Sequence, residues 1–195
     1  MKITAKLGTK HNKTLDNNSS KKAQIKIMVT DVNTAPSIID LEASGFGRGS
    51  YPIEVGIALG NREIHSFLIK PEADWTHWSE EAEQIHGITR EQLQAEGMSI
   101  EDIALTLNEM LRGQTLYSDA WSFDSSWIGR LYDSAGIVQR FRIETINKLL
   151  LPDQVEFWHP TKEAVLQELG LKAHRAAIDV QVLQETYLRI SSMKP

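Results

Sequence analysis

From Ser37 onward the apolar residues fall into three strand-length runs before any long helical period begins, and that order narrows the folds open to the chain. Ile38-Ile39-Asp40-Leu41-Glu42 reads as a buried strand, followed by a glycine-rich turn from Gly45 to Gly49. Residues 53–59 and 63–69 read as two further strands, joined by a tight turn at Gly60-Asn61. A short helix over 79–86 comes next, and another opens at Thr89. A longer helix is predicted over 100–112, with Ser99 and Asp102 as its capping pair and Gly113 at its end. Thr115 to Ser118 forms a short strand, 123–135 a helix closed by Gly136, and Phe141 to Ile146 a last strand. Helices over 161–169 and 175–191 finish the chain. Three consecutive strands, then strands interleaved with helices, predict an α/β fold with a mixed sheet flanked by helices.

A length of 195 residues suits one domain. Residues 1–35 differ from the rest: they are rich in Lys, Asn, Ser and Thr, and read as a flexible basic tail or an expression remnant. Their short apolar alternation at Ile25, Ile27 and Val29 leaves an extra edge strand over 24–30 as the alternative. Residues 36–195 are then the globular domain. No cysteine is present, which excludes disulfides and thiolate metal sites. No run reaches the length of a membrane span and the N-terminus lacks a secretory core, so a cytoplasmic protein without a membrane partner is expected. Net charge is −5, but residues 1–30 carry seven lysines against Asp16, leaving −11 on the remaining 165 residues. An acidic body disfavours tight, non-specific duplex binding. It is compatible with phosphate chemistry where bound divalent cations face the substrate.

Three places put a carboxylate where packing calls for an apolar side chain. Alternate residues of a strand share a face, so Asp40 and Glu42 project together while Ile39 and Leu41 point the other way. Asp124 shares a helical stripe with Trp127, Ile128, Leu131 and Ala135. Asp179 shares one with Val182, Leu183, Thr186, Tyr187 and Ile190. Each has an ordinary explanation when read alone. Asp-x-Glu often marks a solvated strand end, and Asp124 suits a helix N-terminus. Arg175, one turn before Asp179, could pair with it, and His174 could be a surface or capping residue. Read jointly, several acids converge beside a histidine. Oxygen ligands of this kind suit Mg²⁺ or Mn²⁺. Two such ions can clamp the attacking and leaving oxygens of a phosphodiester, and an imidazole can deprotonate the attacking water.

Ile38-Ile39-Asp40-Leu41-Glu42-Ala43-Ser44-Gly45 resembles the first motif of the DEDDh 3′→5′ exonucleases, the group of the DNA polymerase III epsilon subunit and ribonuclease T. Phe123-Asp124 resembles the second motif and His174-Arg-Ala-Ala-Ile-Asp179 the third. Ile85-His86-Gly87-Ile88-Thr89 resembles a stretch common between the first two, so the likeness runs over about 36–190. The resemblance implies a ribonuclease-H-like sheet in which Asp40, Glu42, Asp124 and Asp179 hold two Mg²⁺ or Mn²⁺ ions. It implies His174 as general base and release of mononucleotides from the 3′ end of single-stranded DNA or RNA. Ala43, Ser44 and Phe46 would touch the terminal nucleotide through backbone amides and an apolar wedge. The second motif departs from the family: many members carry His-Asn-Ala before Phe-Asp, and this chain has Asp119-Ala120-Trp121-Ser122. Trp121 either stacks on a base or fills the core, and the core reading is taken here. Asp119 is a fifth acid not assigned as a ligand.

Gly45, Gly47 and Gly49 precede a strand, so a dinucleotide loop is excluded. His65, His77, His86 and His159 show no paired ligand spacing for zinc, and Trp75 and Trp78 read as core cover. Two other readings stay open: a catalytically silent domain of the same fold that binds a partner or a strand end, and a hydrolase of very short oligonucleotides.

Overall fold

The computed structural model describes residues 35–193. The edge strand considered at 24–30 and the basic tail around it lie outside the described residues.

Strands β1 (Ile38–Ala43), β2 (Pro52–Ala58), β3 (Ile64–Leu68), β4 (Thr115–Ser118) and β5 (Arg142–Thr145) form one sheet in the order β3-β2-β1-β4-β5. Neighbours among β1, β2 and β3 are antiparallel, whereas β1–β4 and β4–β5 are parallel. A parallel neighbour requires a crossover, and helices supply it. Helices α1 (Glu80–His86), α2 (Arg90–Glu96) and α3 (Ile100–Leu111) lead from β3 to β4, and α4 (Trp121–Ala135) leads from β4 to β5. Helices α5 (Trp158–Leu169) and α6 (Ala176–Ser192) follow.

The helix ends lie where their capping chemistry falls. The hydroxyls of Ser79, Thr89 and Ser99 accept from the backbone N–H groups of Ala82, Gln92 and Asp102, and Gly136 closes α4 at φ 64°. Helices α4 and α5 start earlier than the sequence expectation, α4 at Trp121 instead of residue 123. Helix α5 begins at Trp158 instead of residue 161, because Pro160 falls in its first turn, where its missing N–H costs no helical bond. Short 3₁₀ turns at Ile146–Leu149 and Val155–Phe157 occupy the link between β5 and α5.

The pleat of β1 divides the core. Ile39, Leu41 and Ala43 join the cluster beneath α3 and α4, while Ile38 packs with Val180, Leu183 and Trp158 on the opposite face, under α5 and α6. Asp40 and Glu42, alternating with Ile39 and Leu41, therefore face α6. In β2, Gly56 pairs with Asp40 and lies directly beneath the start of α6. A Cβ there would collide with the backbone carbonyl of Ala176. Gly56→Ala is thus expected to lift the N-terminus of α6, costing about 1–3 kcal/mol as overpacking does. A thermal or denaturant unfolding curve measures it, and a curve superimposable on wild type would show that α6 does not need this close approach.

Among the described residues, no helix is long and apolar enough to cross a membrane.

Candidate active site

Three elements, β1, α4 and α6, bring the four acids predicted from sequence to one place. Carboxylate oxygens of Asp40 and Glu42 from β1 and of Asp179 from α6 lie within 4.8 Å of one another. Asp124, on the first turn of α4, is fully buried beside them. One Asp124 oxygen, Oδ2, accepts from the hydroxyl of Ser118 at the end of β4. The other, Oδ1, is buried with no hydrogen-bond partner among the described residues.

The electrostatics follow from crowding. Burial raises Asp40 well above the ordinary carboxylate range, and the charges of Asp124, Asp179 and Glu42 raise it further. Burial, Asp179 and Glu54 push Glu42 up to about 8. Burial pushes Asp124 up to about 7 against the opposing hydrogen bond from Ser118. Asp179 is raised by burial too, although the N–H groups of His174 and Arg175 donate to its Oδ2 at 2.8 and 3.1 Å.

The salt bridge between Arg175 and Asp179 that the sequence left open as an alternative does not form. Arg175 reaches across to Glu54 of β2, donating from Nε and Nη2 at 3.0 Å each, and Glu54 also accepts from Ser66 Oγ and the Ala176 N–H. These bonds hold Glu54 below its usual range against the cost of its burial. Glu54 lies opposite Glu42 in the strand register, so this cluster of bonds ties the start of α6 to the sheet at the level of the acids. Sequence reasoning passed over Glu54, though an acid between Ile53 and Val55 in a buried strand was a usable signal. Lys162 of α5 was also passed over. Its Nζ contacts Asp119 Oδ2 at 2.6 Å, and although burial opposes its charge, Asp119, Asp40 and Asp179 hold its pKa up. An isolated lysine on an amphipathic helix gives no sequence signal.

The two outer acids, Glu54 and Asp119, thus each have a cation in direct contact, while among the described residues Asp40, Glu42, Asp124 and Asp179 make no ion pair. Hard divalent ions fit this donor set: all oxygen, close together, with an unpartnered Asp124 Oδ1. Protein stripped with chelator should therefore be less stable at pH 8 than at pH 5. A carboxyl whose folded pKa is raised from about 4 stabilises most when protonated, and that contribution is lost as pH rises toward 7–8. Millimolar Mn²⁺ should raise the melting temperature, more at pH 8 than at pH 5, because metal and protons compete for the same oxygens. A melting temperature unmoved by Mn²⁺ at pH 8 would count against a metal site.

His174 precedes α6 with φ 70°, a left-handed conformation that is uncommon for a residue with a side chain. Its side chain is exposed and makes no hydrogen bond among the described residues, whereas its N–H is pinned by Asp179. Phe46 and Phe123 are 72% and 48% exposed and meet edge to face, with Trp127 beside both. Ala43 ends β1, after a register shift. Ser44 is buried and committed within the turn: its N–H donates to Tyr51 O and its hydroxyl accepts from Tyr51 N–H. Trp121 corrects an expectation. It is 45% exposed and outside the core, its indole N–H donating to Ile143 O at 2.9 Å. Trp75 is buried and Trp78 packs against the same core, as expected. In the Ile85–Thr89 stretch, His86 Nδ1 accepts from the Ile88 N–H and Thr89 caps α2, so this motif links two helices.

No protein-family model and no curated protein matches the chain. Solved structures do. Escherichia coli Exonuclease I in complex with a dT13 oligonucleotide is 14% identical with a TM-score of 0.63, over 80% of this chain and 40% of that one. The zinc-bound form of the E. coli enzyme with single-stranded DNA is 15% identical with a TM-score of 0.64, over 82% and 41%. Exonuclease I of Methylocaldum szegediense is 16% identical with a TM-score of 0.59, over 78% and 40%. The chain thus spans about two fifths of the length of these proteins, and shares with them the ribonuclease-H-like fold.

Proposed function

We propose that this chain is a metal-dependent 3′→5′ exonuclease of the DEDDh type, with residues 36–195 as its exonuclease domain. It takes the 3′ end of single-stranded DNA or RNA and releases nucleoside monophosphates. The observation that carries this reading is the division of charge around the sheet. Glu54 and Asp119 are neutralised by Arg175 and Lys162, and the four inner acids are left to a cation. Asp40, Glu42, Asp124 and Asp179 would hold two Mg²⁺ or Mn²⁺ ions, which when bound supply positive charge to the scissile phosphate and its attacking and leaving oxygens. His174, exposed and with an imidazole that makes no hydrogen bond among the described residues, takes the proton from the attacking water. Phe46, braced by Phe123 and Trp127, would wedge against the terminal base, and Ala43 would approach it through backbone. Ser44 supports the turn that carries them, its own amide being engaged by Tyr51.

Single-stranded DNA, RNA and dinucleotides labelled at the 5′ end test this with Mg²⁺, Mn²⁺ or chelator. A ladder shortening from the 3′ end only with metal is expected. Cleavage confined to dinucleotides would favour the short-oligonucleotide hydrolase, a reading consistent with the acidic body. Binding without cleavage would favour the silent domain.

A further inference from the structure

The first turn of α4 presents aromatic surface on both flanks of Asp124. At 100° per residue, Phe123 and Trp127 fall on one side, against Phe46, while Trp121 and Ser125 fall on the other, toward the edge strand β5. Between that second flank and β5 lies a cleft of about 280 Å³ lined by Trp121, Ser125, Gln139, Phe141, Arg142 and Glu144. That is just under the range, about 300–1,000 Å³, of sites that hold whole drug-sized molecules, and suits a single planar group.

Its chemistry is specific. The indole of Trp121 is fixed by its bond to Ile143 O yet remains 45% exposed, so it offers a preset flat surface. Ser125 Oγ is buried and has no partner among the described residues. Gln139 spends its amide N–H on Phe141 O, leaving its carbonyl oxygen as an acceptor. Glu144 is paired with Lys148 at 2.6 Å, whereas Arg142 is exposed and makes no ion pair among the described residues. A stacking plane, an unsatisfied hydroxyl, an amide oxygen and an available guanidinium correspond to a planar base with polar edges joined to a phosphate.

We propose that the cleft between α4 and β5 is a nucleotide site for an unpaired base of the strand whose 3′ end enters the acid cluster. The proposal rests on the exonuclease reading for the direction of the strand. Trp121 and Asp124 share one helical turn, which puts this nucleotide a short step upstream of the one being removed. Face and edge of the base are both engaged, so a base-paired nucleotide is excluded. Trp121 occupies the stretch in which the chain departs from the family's second motif, which makes the site a property of this sequence.

The test uses phosphorothioate DNA hexamers carrying a single 2-aminopurine at successive positions from the 3′ end, bound to the full chain. One upstream position should be quenched on binding. Trp121→Ala should abolish that quenching alone and weaken affinity roughly 5- to 100-fold, as loss of a stacked base does. Arg142→Ala, at an exposed position that leaves the fold intact, should lower the slope of log Kd against log salt by about 0.7, one phosphate contact. Unaltered affinity, fluorescence and salt slope in both variants would overturn the site. Hydrolysis of an unmodified hexamer is scored separately. Quenching that depends on Trp121 without hydrolysis keeps the cleft and removes the exonuclease reading; hydrolysis with no effect of either variant does the reverse.

Discussion

Asp40→Ala and Glu42→Ala should each yield a folded protein whose hydrolysis of a single strand falls by at least about 10³-fold. Several kcal/mol of charge stabilisation at the scissile phosphate would depend on the cation these acids are proposed to hold. The metal-free variants should melt no lower than metal-free wild type. Both side chains face like charges, and removing one relieves the repulsion that raises its neighbours. The other two acids need a gentler change. Asp124 accepts from Ser118, and Asp179 from the N–H groups of His174 and Arg175, so alanine would damage structure as well as charge. Asp124→Asn and Asp179→Asn keep an accepting oxygen while removing the charge, and should be as inactive as the β1 variants. Turnover and unfolding of one preparation decide the matter. Near-wild-type activity in any two of the four would remove the site assignment.

His174→Ala should slow turnover by roughly 10²–10⁴-fold, the usual worth of a positioned base, while Mn²⁺ still raises the melting temperature. The residual rate should climb with pH as hydroxide replaces the missing base. The geometry separates this from a merely structural role. The imidazole makes no hydrogen bond among the described residues; the N–H, which any residue but proline supplies, makes the contact with Asp179. A capping histidine would cost about 1 kcal/mol on replacement and spare turnover. His174→Gly sharpens the contrast, because glycine adopts φ 70° without steric penalty. It should fold at least as readily on steric grounds and lose the same activity. A stable, fully active variant of either kind would leave the four acids with some other base.

The strands and helices were legible because their signals are local. Alternation put Asp40 and Glu42 on one face, hydroxyls marked the starts at Ser79, Thr89 and Ser99, and Gly136 marked an end. The inward position of Asp124 and Asp179 followed from helical spacing in the same way. What the sequence could not determine is which partners meet across the fold. Arg175 has Asp179 one turn away, yet it pairs with Glu54, 121 residues earlier, because the sheet delivers that carboxylate to the start of α6. Asp119 finds Lys162 only because α5 passes the end of β4. Trp121 has the side chain of a core residue and lies outside the core, because β5 ends the sheet among the described residues and leaves the indole partly exposed. Periodicity assigns a side chain to a face; only the packing of elements distant in sequence decides what that face meets, and so which charges meet a cationic side chain and which do not among the described residues.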